Sequence, residues 1–309
     1  MNRNRRPPGF NGQLAEVDLR LLRVFRTVAR KGGFAAAELA LGKSKSSISI
    51  DIAALESRLR TTLCTRGRGG FSLTPEGEQV LDATEDLLRD IERFRDRVNS
   101  ASGILSGRMT LYVTDAMFVY GETGIVRALE LFTAQHPDVV IDLRSASSDE
   151  IEYAVLDGRA TAGITLRPHA QSALMATPLF EERLRLYCSR KHALFACADA
   201  DLTPDLLAAQ RLIAVSDSAT GPGWADLRAH LSFSASAENI DARALLILTG
   251  QFIGFLPELF ADPFVARGQF RHLPFGGLAL ATRFHFLTKR NAQSSLMAER
   301  FRAVLQSTC

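Results

Sequence analysis

The sequence predicts an α/β protein: a small winged helix-turn-helix at the N-terminus, a long linker helix, and a larger α/β body. Three observations point there. Helical periodicity broken by glycines runs from Val17 to Leu63, a highly charged helix with a heptad stripe follows Thr74-Pro75, and strands alternate with helices from Arg108 onward.

Charge divides the chain the same way. The 309 residues carry a formal net charge of +3, unevenly spread. Residues 1–74 hold 14 Lys and Arg against 5 Asp and Glu, a balance of +9, whereas residues 75–309 hold 23 against 29, a balance of −6. A basic module joined to a mildly acidic body places any polyanion contact in the first part, although a solvated basic face alone gives the same imbalance. Hydrophobic residues make up 46% and charged residues 23%, as in ordinary globular proteins. No apolar run approaches the roughly 18 residues of a membrane span, and no membrane partner is expected. The opening MNRNRRPPGFNGQ is basic with no apolar stretch behind it, which argues against a secretory signal and for a flexible basic arm over residues 1–16. Cys64, Cys188, Cys197 and Cys309 have neither metal nor disulfide-framework spacing, which favours a reducing cytoplasm.

Leu19, Leu22, Val24, Phe25 and Val28 fit one face of a first helix, ended by Lys31-Gly32-Gly33. FAAAELAL is a short second helix closed by Gly42. Ser44 is the expected N-cap of a third helix, in which Ile48, Ile52, Leu55 and Leu59 recur as a buried stripe. Two helices joined by a tight glycine turn make a helix-turn-helix over residues 17–74. The third helix, GKSKSSISIDIAALE with its approach, has two readings: an ordinary amphipathic helix, or one whose outer face meets base edges in a major groove. Lys45, Ser46 and Ser49, with Ile50 further round, lie on that outer face. TRGRGGFSLT then places Arg66 and Arg68 among glycines, which suits a basic β-wing or a glycine-rich surface loop.

Thr74 as N-cap and Pro75 at the first helical position open a linker helix over residues 75–103. Val80, Thr84, Leu87, Ile91, Phe94 and Val98 are spaced 4-3-4-3-4 among dense charges, a pattern for a narrow dimer seam. Beyond it, RMTLYVT, VVIDLRSA and ATAGITL read as strands separated by helices, the signature of a parallel sheet covered on both faces. ERLRLYCSR, QRLIAVS, QFIGFLP and ALATRFHFLTK are further strands. DARALLILTG, PELFADPFVARG and SSLMAERFRAVLQS are further helices.

In that order, an aromatic in helix one, an Ala-rich helix two, S-x-S-x-x-S opening helix three, LE, L-x-x-R before the wing, and LT-x-x-G at the linker resemble the LysR-type transcriptional regulators. The likeness spans nearly the whole chain after Val17 and is most specific from Phe25 through Gly77. It implies a DNA-binding transcriptional regulator, with no cofactor, that responds to a small-molecule co-inducer. Its expected partners are double-stranded promoter DNA, further copies in a homodimer or homotetramer, and RNA polymerase. Residues 104–309 would be an effector-binding domain similar to periplasmic binding proteins, in two subdomains, about 108–180 with 268–309 and about 181–267.

On that resemblance Ser44 caps the recognition helix, and Lys45, Ser46, Ser49 and Ile50 face the groove or its phosphates, with Arg66 and Arg68 on the wing. Thr114, Asp115 and Ala116, Arg144, Thr165 and Ser216 fall at effector-binding positions. Several residues depart from the family pattern. Ile50 and Asp51 stand where polar residues are usual, Cys64 where Phe is, and Ala162 where Asp is often found. Gly33 stands in place of a small hydroxyl and, with Cys64, suggests looser packing rather than lost function. Asp51 either accepts from a cytosine or, the preferred reading, turns from phosphate and pairs with a base such as Arg58. Asp115 would repel a carboxylate at close range, hinting at a ligand that is neutral, cationic or paired through a cation; Arg144 would supply the opposite charge, or both are simply solvated. His169 and Trp224 either line the cleft or serve as loop and packing residues.

Two rival readings are a redox-sensing regulator of the same fold using Cys188 and Cys197, and an effector-independent DNA-binding protein without a cleft, which leaves the large α/β body hard to explain. An enzyme is not expected, because no nucleophile elbow, phosphate loop, dinucleotide fingerprint or zinc-ligand spacing appears.

Overall fold

A computed structural model describes residues 13–67, 70–101, 105–166, 169, 172–214, 228, 232–274, 280–290 and 295–308. The chain divides into two compact units, residues 1–95 and 96–309, taken here in turn.

In the first unit α1 (Glu16–Lys31) buries Leu21, Leu22, Val24, Phe25 and Val28 and ends at Gly32. Next come α2 (Phe34–Leu41) and α3 (Lys45–Leu59). Ile48, Ile52 and Leu55 of α3 are all 0% exposed, as the spacing of the stripe requires. The wing is a two-stranded antiparallel ribbon, β1 (Cys64–Gly67) with β2 (Gly70–Leu73). Gly33 overturns the expectation of looser packing: at φ 143° it occupies a region most side chains avoid, and a Cβ there would lie 3.2 Å from Phe71 Cβ.

The linker helix α4 (Pro75–Ala101) starts where expected. Thr74 Oγ1 accepts from the Gly77 amide at 2.9 Å and donates to the Thr62 carbonyl at 2.7 Å. Gly77 is required by contact, since a Cβ would sit 1.9 Å from the Leu63 carbonyl oxygen. The expected seam divides along its length. Val80 and Leu87 pack on the core of the first unit, and Thr84 is 1% exposed with its hydroxyl donating to the Val80 carbonyl at 2.6 Å. Ile91 is half-buried, whereas Phe94 is 68% exposed and Val98 is half-exposed. The first turns of α4 lie against α1, where Arg30 pairs with Glu85 at 2.8 Å, so only the later turns present the stripe outward.

The second unit begins with β3 (Gly107–Val113), a 3₁₀ turn (Met117–Thr123), α5 (Ile125–Gln135), β4 (Val139–Ser145), α6 (Ser148–Asp157) and β5 (Ala162–Leu166). The sixteen-residue β6 (Leu174–Ser189) leads to α7 (Pro204–Ala208), β7 (Leu212–Ile213), β8 (Phe233–Ala235), α8 (Ile240–Leu248), β9 (Gly254–Pro257), α9 (Glu258–Ala266) and β10 (Phe270–His272). Then β11 (Leu280–Lys289) returns to α10 (Leu296–Thr308). The main sheet runs β10-β6-β11-β5-β3-β4, with β9 also on β6.

The expected parallel βαβαβ unit is borne out by β3, β4 and β5, and the full sheet is a mixed one. β3 is parallel to β4 and β5, but β11 is antiparallel to both β5 and β6. The cause is topological: β6 leaves the first half and β11 comes back beside it, so the two must run in opposite senses.

In the first half α5 and α10 cover one face, with Phe132 and Phe301 edge to face at 5.3 Å, and α6 covers the other. The second half packs Leu186, Cys188, Leu212 and Ile253 on one side and Tyr187, Ile247, Leu256 and Phe260 on the other. β10, Leu273 and Leu280 belong to this second half. The return therefore falls near the register shift between Arg283 and His285, not near residue 268.

Gly77→Ala should lower stability by about 2 kcal/mol or more, because backbone must move to admit the methyl. Chemical denaturation of the full chain measures it; an unchanged midpoint would contradict the close approach to Leu63.

Candidate nucleic-acid interface and hinge cluster

Ser44 caps α3, its Oγ accepting from the Ser47 amide at 3.3 Å and lying 3.0 Å from Ser46 Oγ. Ser44, Lys45 and Ser46 are exposed, Ser49 is half-buried, and Ile50 is 70% exposed. The outer face is therefore composed as expected: hydroxyls, one ammonium and an apolar side chain that can meet a thymine methyl. Arg66 lies in β1, its side chain outside the described residues, and Arg68 lies outside them altogether.

Asp51 is turned inward. It accepts from Lys43 Nζ at 2.6 Å and from Arg20 at 3.2 Å. Burial opposes its ionisation, but the two cations outweigh burial and hold the carboxyl below its usual range. The expected partner Arg58 is engaged elsewhere, donating to buried Asp18 of α1, with one bond of 2.7 Å. A third acid, Glu56, accepts the Leu63 and Cys64 amides at 2.8 and 3.3 Å and so fixes the base of the wing. Spacing had singled out neither Asp18 nor Glu56 for these roles; both work through contacts distant in sequence.

In the second unit the expected effector residues separate. Thr114 is buried at the end of β3, and Thr165 is 0% exposed. Thr165 alternates with Ile164, which faces α5 and α10, so it projects with Gly163 toward α6. Arg144 lies on the edge strand β4, pairs with Asp142 at 2.9 Å and stands 5.9 Å over the Tyr112 ring, on the same α6 side. Ser216 and Trp224 lie outside the described residues. His169 serves α6: its amide donates to buried Glu152 at 3.0 Å.

Asp115 and Ala116 sit elsewhere, at the junction of the two halves. Asp115 Oδ2 accepts from the Ile240 amide at 2.5 Å, so a first-half carboxylate meets the N-terminus of a second-half helix. Ala116 is held at φ 52°, a left-handed conformation rare outside glycine. Nearby, Glu182 of β6 is 6% exposed and accepts from the hydroxyl of Tyr120, which is 1% exposed. Tyr120 packs on Phe180 and Phe284 at 5.4 and 5.2 Å. Arg243 of α8, 8% exposed, donates to the Phe255 carbonyl at 3.0 Å and exerts its charge on both carboxylates.

Burial pushes the Glu182 carboxyl up to about 7, against the pull of Tyr120 and Arg243, and raises that of Asp115 as well. Tyr120, Glu182 and Arg243 escaped sequence reasoning. They come from separate elements, and only the fold gathers them.

Cys188 is 0% exposed, and burial pushes its thiol up to about 11; Cys197 is half-buried with its Sγ toward the Ala198 carbonyl at 3.7 Å. A thiol held protonated is a poor nucleophile. Among the described residues no group of His, Cys, Asp and Glu is arranged to hold a metal ion, and no helix is long and apolar enough to cross a membrane.

Residues 19–78 match the bacterial regulatory helix-turn-helix proteins of the lysR family, and residues 105–309 match the LysR substrate binding domain. The HTH-type transcriptional activator BauR of Pseudomonas aeruginosa is 40% identical over 298 residues, which cover 94% of this chain and 95% of that protein. CbnR, a LysR family transcriptional regulator, has a structure similar at a TM-score of 0.65 and 20% identity, covering 94% of this chain and 98% of CbnR. CbnR complexed with its target DNA gives 0.68 at 18% identity, over 94% and 99% of the two chains. The expected winged helix-turn-helix, long helix and C-terminal α/β domain are all borne out. The chain belongs to the LysR family of DNA-binding transcriptional regulators, carries that family's substrate-binding domain, and is not an enzyme.

Proposed function

We propose that this regulator binds double-stranded promoter DNA in the cytoplasm through α3 and the wing, and that a small molecule taken up at the hinge of its second unit controls transcription. The carrying observation for DNA is the two-sidedness of α3: Ile48, Ile52 and Leu55 at 0% exposure on one side, Ile50 at 70% on the other. Lys45, Ser46 and Ser49 stand with Ile50, while Arg66 and Arg68 add charge from the wing. For the effector it is the polar group of half-buried Asp115 with buried Tyr120, Glu182 and Arg243, drawn from both halves. Activation is the sense in the name of the 40% identical relative, and it extends the proposal, with RNA polymerase as partner. Assembly as a homodimer or homotetramer would use the outer stripe of α4, led by Ile91 and Phe94. Thiol sensing gains no support from a buried Cys188.

Ser46→Ala or Ser49→Arg should weaken operator binding roughly tenfold, with sedimentation unchanged. Normal retention of the chain's own upstream DNA by both variants would sink the recognition-helix assignment. Aspartate in place of Ile91 or Phe94 should lower the sedimentation coefficient. An assembly of unchanged mass would exclude this stretch of α4 from the seam.

A third expectation concerns pH. The folded chain keeps the Glu182 proton up to about 7, whereas the unfolded chain loses it near 4.5. Folding stability contributed by this proton is thus present below 4.5 and lost as pH rises through 7. Glu182→Gln should flatten the decline between those limits by at most about 3 kcal/mol. Urea titrations at a series of pH values check it; parallel curves for both proteins would refute the assignment.

A further inference from the structure

We infer that Ile50 reads thymine: its side chain packs on the C5 methyl of a thymine in the major groove and makes that base pair a determinant of operator choice. The inference rests on α3 being the recognition helix and adds which base its outer face selects.

Ile50 stands in the second turn of α3 and is 70% exposed. Its neighbours on the helix surface, three and four positions before and after, are Ser46, Ser47, Ala53 and Ala54. All four are small, so the helix itself gives Ile50 little apolar cover. Helix stability does not ask for this residue either. A β-branched side chain loses χ1 freedom in a helix, and Lys, Gln or Arg would serve better at an exposed position. The small residues around it also let the helix approach a groove floor closely, with Ile50 the longest side chain of the five.

Polar groups beside it are engaged within the protein. Ser46 Oγ lies 3.0 Å from Ser44 Oγ, which in turn accepts from the Ser47 amide at 3.3 Å. Asp51, the next residue, is turned inward to Lys43 and Arg20 and sets no carboxylate against a base edge. What the second turn of α3 presents is therefore an aliphatic tip.

Chemistry then selects the base. In the major groove guanine, cytosine and adenine offer hydrogen-bonding atoms, whereas thymine adds a C5 methyl. An isoleucine pressed on N7, O6 or an exocyclic amine strips water from it and returns no hydrogen bond. Pressed on the thymine methyl, it takes two apolar surfaces out of water together. Burial of one such carbon corresponds to about fourfold in affinity. Arg or Asn at this position would have favoured guanine or adenine through paired hydrogen bonds; Ile50 replaces that readout with apolar contact.

The test uses duplexes that the full chain selects from a random pool, remade with uracil for thymine, a change that removes only the methyl. The unsubstituted chain should bind the uracil duplex about fourfold more weakly for each methyl that Ile50 covers. Ile50→Ser should lose affinity for the thymine duplex by the same factor and no longer distinguish the two, while Ile50→Val keeps most of the difference. Restoring thymine one position at a time should return the affinity at the base that Ile50 covers. Ile50 is exposed, so neither substitution touches the core. Equal binding of both duplexes by the unsubstituted chain, or a uracil penalty of equal size in Ile50→Ser, would overturn the inference. If Ser49→Arg still weakens binding in that event, α3 remains the recognition helix. If substitution at neither position alters binding, that reading falls as well.

Discussion

Two strands carry the second unit from one half to the other, and the buried hydrogen bond between Tyr120 and Glu182 lies where they cross. β6 passes outward and β11 returns, paired from Leu174–Lys289 at one end to Leu184–Leu280 at the other. Within that stretch the register slips between Arg283 and His285, beside the pair Glu182–Thr282. Such a slip interrupts the ladder and bends the strand locally. The same short stretch holds a buried carboxylate whose partners come from the first half, Tyr120, and the second, Arg243. Any change in the angle between halves must alter how that charge is satisfied. Conversely, whatever satisfies it best selects an angle. The ladder irregularity and the buried carboxylate thus share one short stretch of β6 and β11.

The order of elements was legible because each has a local signature. Ile48, Ile52 and Leu55 announced the buried side of α3, Ser44 and Thr74 announced two helix starts, and the glycines of the wing announced a turn. What needed more than local pattern was less visible. The first half of β6, residues 174–181, reads as no clean alternation, and its partner β11 comes from residues 280–289, about a hundred positions away. The seam on α4 looked continuous because heptad spacing says which residues share a stripe, not what the stripe touches. Half of it meets its own core. The expected effector set came from strand ends, and strand ends alternate in direction. Asp115 points to the hinge, while Thr165 and Arg144 belong to the α6 side. Tyr120 and Arg243 carried no signal at all, since neither a lone tyrosine nor a helical arginine shows from its neighbours in sequence that a fold will bury it.

The first unit faces the converse problem: it must be basic outside yet stable inside. Its acids are placed accordingly. Asp18 is buried under Arg58, Asp51 under Lys43 and Arg20, and Glu56 takes two backbone amides at the base of the wing. Glu38 of α2 accepts the Lys45 amide at 2.5 Å, so four of the five acids among residues 1–74 are used within the fold. Each holds α3 to another segment: Asp18 to α1, Glu38 to α2, Asp51 to α1 and the preceding turn, Glu56 to the wing. Turned outward, such carboxylates would repel phosphate; paired within the fold, they hold in place the helix that carries Lys45, Ser46, Ser49 and Ile50. An acid in a DNA-facing helix is therefore no argument against DNA binding when its oxygens are turned inward and paired. Asp51, which looked out of place in the sequence, orients the helix that bears it.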